Sequence, residues 1–256
     1  MDFLIGDYVT RKSYGNDIIF KILKIDNDTV YLKGVELRLL ADAPISDLVK
    51  TEKKIDNFKP IIEDINMQRS SEFFYLPGKV LHLDGDGEYL ERCIKYYKEN
   101  KVYAIGKKVK EDNISDQLLL LLTEYKPDIL VITGHDAFDK KKGKVNNIKS
   151  YKNSIHFIKA VQIARSYEKS HDKLVIIAGA CQSDYEDLIK AGANFASSPK
   201  RINIHALDPA IVATCVATTK RNEEIKLIDV LNKTKYGSDG MGGIISNGLM
   251  YVGFPK

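Results

Sequence analysis

Two apolar, β-branched runs in this sequence end on side chains that do chemistry. Ile129-Leu130-Val131-Ile132-Thr133-Gly134 runs into His135, and Leu174-Val175-Ile176-Ile177-Ala178-Gly179-Ala180 runs into Cys181. A cysteine attacks through its thiolate, and a neighbouring imidazole supplies the base. Runs this short and apolar predict buried parallel strands. The interval between them leaves room for one crossover with a helix, so the two strands are expected to be sheet neighbours. Both groups would then stand at the carboxyl edge of an open α/β sheet, where such sheets carry their sites. Taken singly, Cys181 reads as a small buried hydrophobe and His135 as a loop histidine with a satisfied hydrogen bond. Their matched positions favour a nucleophile and its base. Backbone N–H groups after the histidine strand and at Cys181 are candidate oxyanion donors. Gly134 and Gly179 are expected to let the chain turn sharply there.

The elements that must position this pair fall into three stretches. Residues 1–48 hold short β-rich runs at 7–10, 18–25, 30–33 and 37–40, split by Gly15-Asn16-Asp17, Asp26-Asn27-Asp28 and Gly34. Strands at this spacing predict a small SH3-like β-barrel. Residues 49–76 mix Lys50, Lys53, Lys54, Lys59 and Arg69 with Glu52, Asp56, Glu63 and Asp64, and read as a polar linker with some helix. From 77 to 256 apolar runs alternate with helical patterns. Strands are expected at 80–83, 102–105, 129–135, 173–181 and 194–196. Helices are expected near 88–99, 115–125, 155–168, 184–191, 208–218 and 227–231. Such alternation predicts a mostly parallel sheet with flanking helices. A glycine-rich turn and the run 244–252 complete the reading.

Bulk properties exclude more than they assign. The 39 basic residues among 256 are nearly balanced by 35 acidic ones, for a net charge of +4, so composition demands no nucleic-acid partner. No apolar stretch approaches the roughly 20 residues of a membrane span, and the first residues lack a signal-peptide pattern. The cysteines Cys93, Cys181 and Cys215 form no CxxC, which fits a reducing, intracellular compartment. Cys93 and Cys215 read as packed helical thiols. His205 before Asp208-Pro209 could line a groove, with Asp208 as a helix cap the plainer reading. A zinc set of His135, Cys181, His205 and Cys215 matches no spacing signature and is set aside. Lys140–Lys144 is a solvated loop or, since basic residues invite a basic-specific enzyme, a self-cleavage site.

The Ala-Cys and strand-His endings resemble the caspase-like cysteine peptidases. A closer resemblance is to the YabG family of sporulation proteases. It is carried by Ile5-Gly6-Asp7, Arg11-Lys12-Ser13-Tyr14, Gly78-Lys79-Val80-Leu81-His82-Leu83-Asp84-Gly85-Asp86, residues 127–137, Gly179-Ala180-Cys181-Gln182-Ser183 and residues 191–199. It covers nearly the whole chain and is weakest over 49–76. The resemblance implies a caspase-like α/β fold and a protease that trims spore coat and related proteins. It implies His135 and Cys181 as the catalytic pair, with no metal or organic cofactor and no membrane or nucleic-acid partner. It also implies a place in the mother-cell cytoplasm of a sporulating bacterium, or with the spore coat. Caspase-like enzymes place Gly after the histidine, whereas this chain has Asp136. Its N–H still serves an oxyanion, and its carboxylate either orients the imidazole or bonds its own loop. In that fold the end of the first large-domain strand helps form the pocket before the cut. Asp84 and Asp86 there favour Arg or Lys, unless they cap the helix beginning near Gly87. Two other classes remain open. Asp84-Gly85-Asp86 after a strand resembles the first motif of Mg²⁺-dependent haloacid-dehalogenase-like phosphatases. A non-catalytic coat-assembly protein would use the N-terminal barrel for attachment.

Overall fold

The computed structural model describes residues 3–53, 58, 73–145 and 147–254. The chain divides into two compact units, Met1–Lys59 and Pro60–Lys256. Of the expected linker, Lys54, Asp56, Lys59, Glu63, Asp64 and Arg69 lie outside the described residues.

The first unit is one antiparallel sheet. Its strands are β1 (Tyr8–Arg11), β2 (Phe20–Asp26), β3 (Thr29–Gly34), β4 (Leu40–Pro44) and β5 (Leu48–Lys50), in the order β4-β3-β2-β1-β5. Val9, Phe20, Ile22, Val30, Leu32, Ala43 and Leu48 bury one face. Alternation along β1 to β3 puts these residues on one side, as a half-buried sheet requires. The expected strand at Leu37–Leu40 begins later, because Gly34 accepts Leu37 against its backbone. A Cβ there would lie 2.4 Å from the Leu37 carbonyl oxygen. Among the described residues this unit is a five-stranded antiparallel sheet in which β4 and β5 share no ladder.

The second unit is α/β. It opens with β6 (Phe74–Leu76), β7 (Val80–Asp84), α1 (Gly87–Glu99), β8 (Ala104–Lys108), α2 (Ile114–Tyr125) and β9 (Ile129–Thr133). It continues through α3 (Ser154–Tyr167), β10 (Val175–Ala178), α4 (Tyr185–Lys190), β11 (Phe195–Ser197) and α5 (Asp208–Thr218). The chain then forms α6 (Leu227–Asn232), α7 (Gly237–Gly240), β12 (Met241–Gly243) and β13 (Tyr251–Gly253). The main sheet has the order β12-β11-β10-β9-β7-β8. Its ladders are parallel except β11–β12, which is antiparallel. β7, β9 and β10 are buried along their whole length. Leu81, Leu83, Leu130, Ile132, Ile176 and Ala178 pack against α2, α3 and α4 through Leu118, Leu122, Phe157, Val161 and Leu188. Emptying the position of Phe157 by Ala would cost about 3–5 kcal/mol. α1 and α5 also pack on this sheet.

Two endings differ from expectation. The 237–243 stretch is no simple turn: it forms α7 and the edge strand β12. Glycine is needed there because a Cβ on Gly242 would fall 2.7 Å from the Tyr185 hydroxyl, and one on Gly243 2.5 Å from Phe195 Cδ1. The run 244–252 pairs only through isolated bridges at Asn247 and Met250 before β13, which joins β6 in a separate two-stranded ribbon. β6 thus takes the end of the expected linker. Strand order turns in opposite directions from β7 and β9, and it is at the carboxyl ends beside such a switch point that open α/β sheets carry their sites.

Candidate active site

The register of β9 and β10 aligns Ile132 with Ala178. Each chain then runs three residues further, to His135 and to Cys181. The two loops are bound to one another through Asp136. Its buried carboxylate accepts hydrogen bonds from Ala137 N (2.9 Å), Asn153 N (2.7 Å), Ser154 Oγ and Ser183 Oγ (2.9 Å). Ser183 Oγ also accepts from Ala180 N at 2.8 Å, and Ser154 Oγ from Asp184 N at 2.8 Å. Asn153 Nδ2 donates to the His135 carbonyl oxygen at 2.8 Å. Burial pushes the Asp136 carboxyl above the ordinary carboxylate range, against the pull of these four donors. Asp136 therefore bonds its own and neighbouring loops and has no recorded bond to the imidazole. Among the described residues its N–H donates no hydrogen bond.

The imidazole is held from the adjacent strand. His135 Nε2 lies 3.1 Å from Asp86 Oδ2, and both side chains are nearly buried. Asp86 Oδ1 caps α1 by accepting from Glu88 N (2.9 Å) and Tyr89 N (3.2 Å). Tyr89 packs on the His135 ring with centroids 5.8 Å apart. Nδ1 is buried and has no hydrogen-bond partner among the described residues. Glu111, in a 3₁₀ turn after β8, accepts the His135 N–H at 2.7 Å. This explains Gly134 and Gly85 differently from a sharp turn. A Cβ on either would stand 2.3 Å from Glu111 Oε1. Gly179 does make the turn, with φ +104.

Cys181 is 1 % exposed, and its Sγ accepts the backbone N–H of Ile204 at 3.2 Å. The same sulfur lies 3.9 Å from the Ile204 carbonyl oxygen, to which its S–H donates. The loop that delivers Ile204 passes through Ser198 and Arg201, both at positive φ, as is Gln182 beside the cysteine. Left-handed non-glycine residues of this kind concentrate at functional sites. Ser198 Oγ accepts from Gln182 N (3.1 Å) and donates to Ile202 O (2.7 Å), tying that loop to the cysteine turn.

Asp84, expected at a pocket edge, turns its carboxylate into the protein. It is fully buried at the end of β7, where Oδ2 accepts from Thr133 Oγ1 (2.8 Å) and Oδ1 from Asp86 N (2.9 Å). Thr133 in turn contacts His82 Nε2 (2.9 Å), whose Nδ1 meets the Tyr97 hydroxyl (3.0 Å). Asp86 is the expected helix cap and also the imidazole's partner, which spacing alone could not show. The phosphatase reading wants two carboxylates converging on a cation, and these two diverge: Asp84 turns inward and Asp86 toward His135. Among the described residues no group of three or more His, Cys, Asp or Glu side chains is placed to hold a metal ion.

Asp208 is the first residue of α5 and not its cap; Oδ2 accepts from His205 N and Oδ1 from Lys235 N, each at 2.9 Å. Burial raises the Cys215 thiol on α5. The three cysteines form no disulfide. Glu111, Asn153, Ser154 and Ser183 escaped the sequence reading. Only Asn153-Ser154, residue types that favour helix starts, carried a local signal at the start of α3, although neither side chain caps it.

The YabG peptidase U57 family model matches residues 4–66 and 60–255. The chain is 41% identical, over 286 aligned residues, to the sporulation-specific protease YabG of Bacillus subtilis (strain 168). That alignment covers 100% of this chain and 99% of the relative. No helix among the described residues is long and apolar enough to cross a membrane. The chain belongs to the YabG peptidase U57 family.

Proposed function

We propose that this protein is a cysteine endopeptidase acting during sporulation, with Cys181 as nucleophile and His135 as general acid and base. The observation that carries the reading is the pair of neighbouring parallel strands that deliver an imidazole and a thiol from register-matched ends. The thiolate sulfur bonds to the scissile carbonyl carbon, and the carbonyl electron pair moves to oxygen. The Asp136 N–H and the Cys181 N–H supply the oxyanion donors. As the C–N bond breaks, His135 gives its proton to the leaving amine and a thioester remains. Water then attacks the thioester, His135 takes the proton, and the sulfur leaves as thiolate.

The architecture is that of a caspase-like site, with base and nucleophile at adjacent strand ends. A preference for Arg or Lys before the cut belongs to this reading, and the Glu111 carboxylate beside His135 at the same edge supports it. Spore coat and related proteins in the mother-cell cytoplasm are the proposed substrates. Wild type and Cys181→Ala, incubated with a spore-coat extract and analysed for new fragment ends, test the proposal. Cutting by wild type alone, after basic residues, supports it. Equal cutting by both proteins removes Cys181 as nucleophile.

A further inference from the structure

We propose that Asp86 is the positioning residue of His135, fixing its ring so that Nε2 carries a proton toward Asp86 and Nδ1 is the atom that exchanges protons with sulfur and leaving amine. The inference rests on the Cys181–His135 reading and deepens it.

Three observations carry it. Asp86 Oδ2 stands 3.1 Å from Nε2, and an ionised carboxylate only accepts, so the hydrogen belongs to the imidazole. Nδ1 is the buried ring nitrogen without a protein partner among the described residues. The carboxylate is itself held. Oδ1 receives two N–H groups of α1, and the Asp86 N–H is bonded to Asp84 Oδ1. Behind Asp84 runs a buried chain: Tyr97 hydroxyl, His82, Thr133 and Asp84 Oδ2. That chain fixes the turn after β7 against β9, the strand that ends at His135. A carboxylate so restrained selects one imidazole tautomer and stabilises the imidazolium formed when a proton arrives. The other charged or titratable groups around the ring are Tyr89 on its face, Glu111 on its backbone N–H, and Asp136 next in sequence, bonded away into the loops.

The useful variant is Asp86→Ser. Serine still caps α1 but is too short to reach the imidazole, so folding and positioning separate. We expect the melting temperature to hold within about 4–8 °C. We expect kcat on a fluorogenic peptide ending in Arg to fall by about 10²- to 10⁴-fold with KM little changed. The ¹⁵N signals of the His135 ring, assigned with His135→Gln, should lose their Nε2–H preference.

An unchanged ring tautomer, or an unchanged kcat in folded Asp86→Ser, overturns the proposal. So does a rise in KM confined to basic peptides, which would make Asp86 a specificity residue. If Cys181→Ala cleaves as well as wild type, the endopeptidase reading fails instead. The ring signals, which need no activity, then still decide the Asp86–His135 pairing.

Discussion

The ends of β9 and β10 present the two reactive groups in equivalent positions, yet the protein secures them by different means. His135 is held by side chains: Asp86 on its ring, Glu111 on its N–H, Asn153 on its carbonyl. Cys181 is held at its sulfur by main chain, the Ile204 N–H, delivered by a loop with left-handed residues. A base must present one tautomer, which needs a directional partner of fixed charge. A thiolate needs only a donor, which any backbone supplies. Single substitutions should therefore dismantle the histidine end, whereas the sulfur's donor is sensitive to loop conformation. Asp136 is the common member, bonded to both loops.

Substitutions at the two ends break this comparison in order of size. His135→Ala should retain the fold and lose about 10³- to 10⁴-fold in kcat, measured by peptide cleavage with circular dichroism as the folding control. Asp136→Ala should lower stability by about 2–4 kcal/mol in urea unfolding, since it strands buried hydroxyl and N–H donors. Asp136→Asn sharpens the point through pH. The Asp136 carboxyl is raised in the fold, so the native state binds its proton more tightly than the unfolded chain. Its contribution is fully present below the ordinary carboxylate pKa and is lost as pH rises through the raised value. Asparagine has no such titration, so the variant should gain on wild type as pH rises through that window.

Gly134→Ala should cost about 1–3 kcal/mol, because its Cβ meets the Glu111 carboxylate that holds the histidine N–H. Cys215→Ala should change activity least. Cys215 lies on α5, and burial raises its thiol.

The sequence made the strands legible because β7, β9 and β10 are buried on both faces and so are continuously apolar. The reactive pair was legible because each member ends such a run. The Asp86 cap was legible in its local spacing. Its reach to His135 was not, since that follows from β7 and β9 being neighbours while β8 lies outside them. Glu111 was hidden for the same reason, and because its evidence in the sequence is indirect: two glycines that exist to make room for it. β12 was hidden because Met241-Gly242-Gly243 has the composition of a turn, and only Tyr185 and Phe195 pressing on it give the glycines a strand's role.

The most direct measurement is to inactivate the wild-type protein with a peptidyl-arginine chloromethyl ketone and locate the adduct by mass spectrometry. The account predicts a single modification on Cys181, in step with the loss of cleavage and absent from His135→Ala. Inactivation with the label on Cys93, Cys215 or a non-cysteine residue would contradict it.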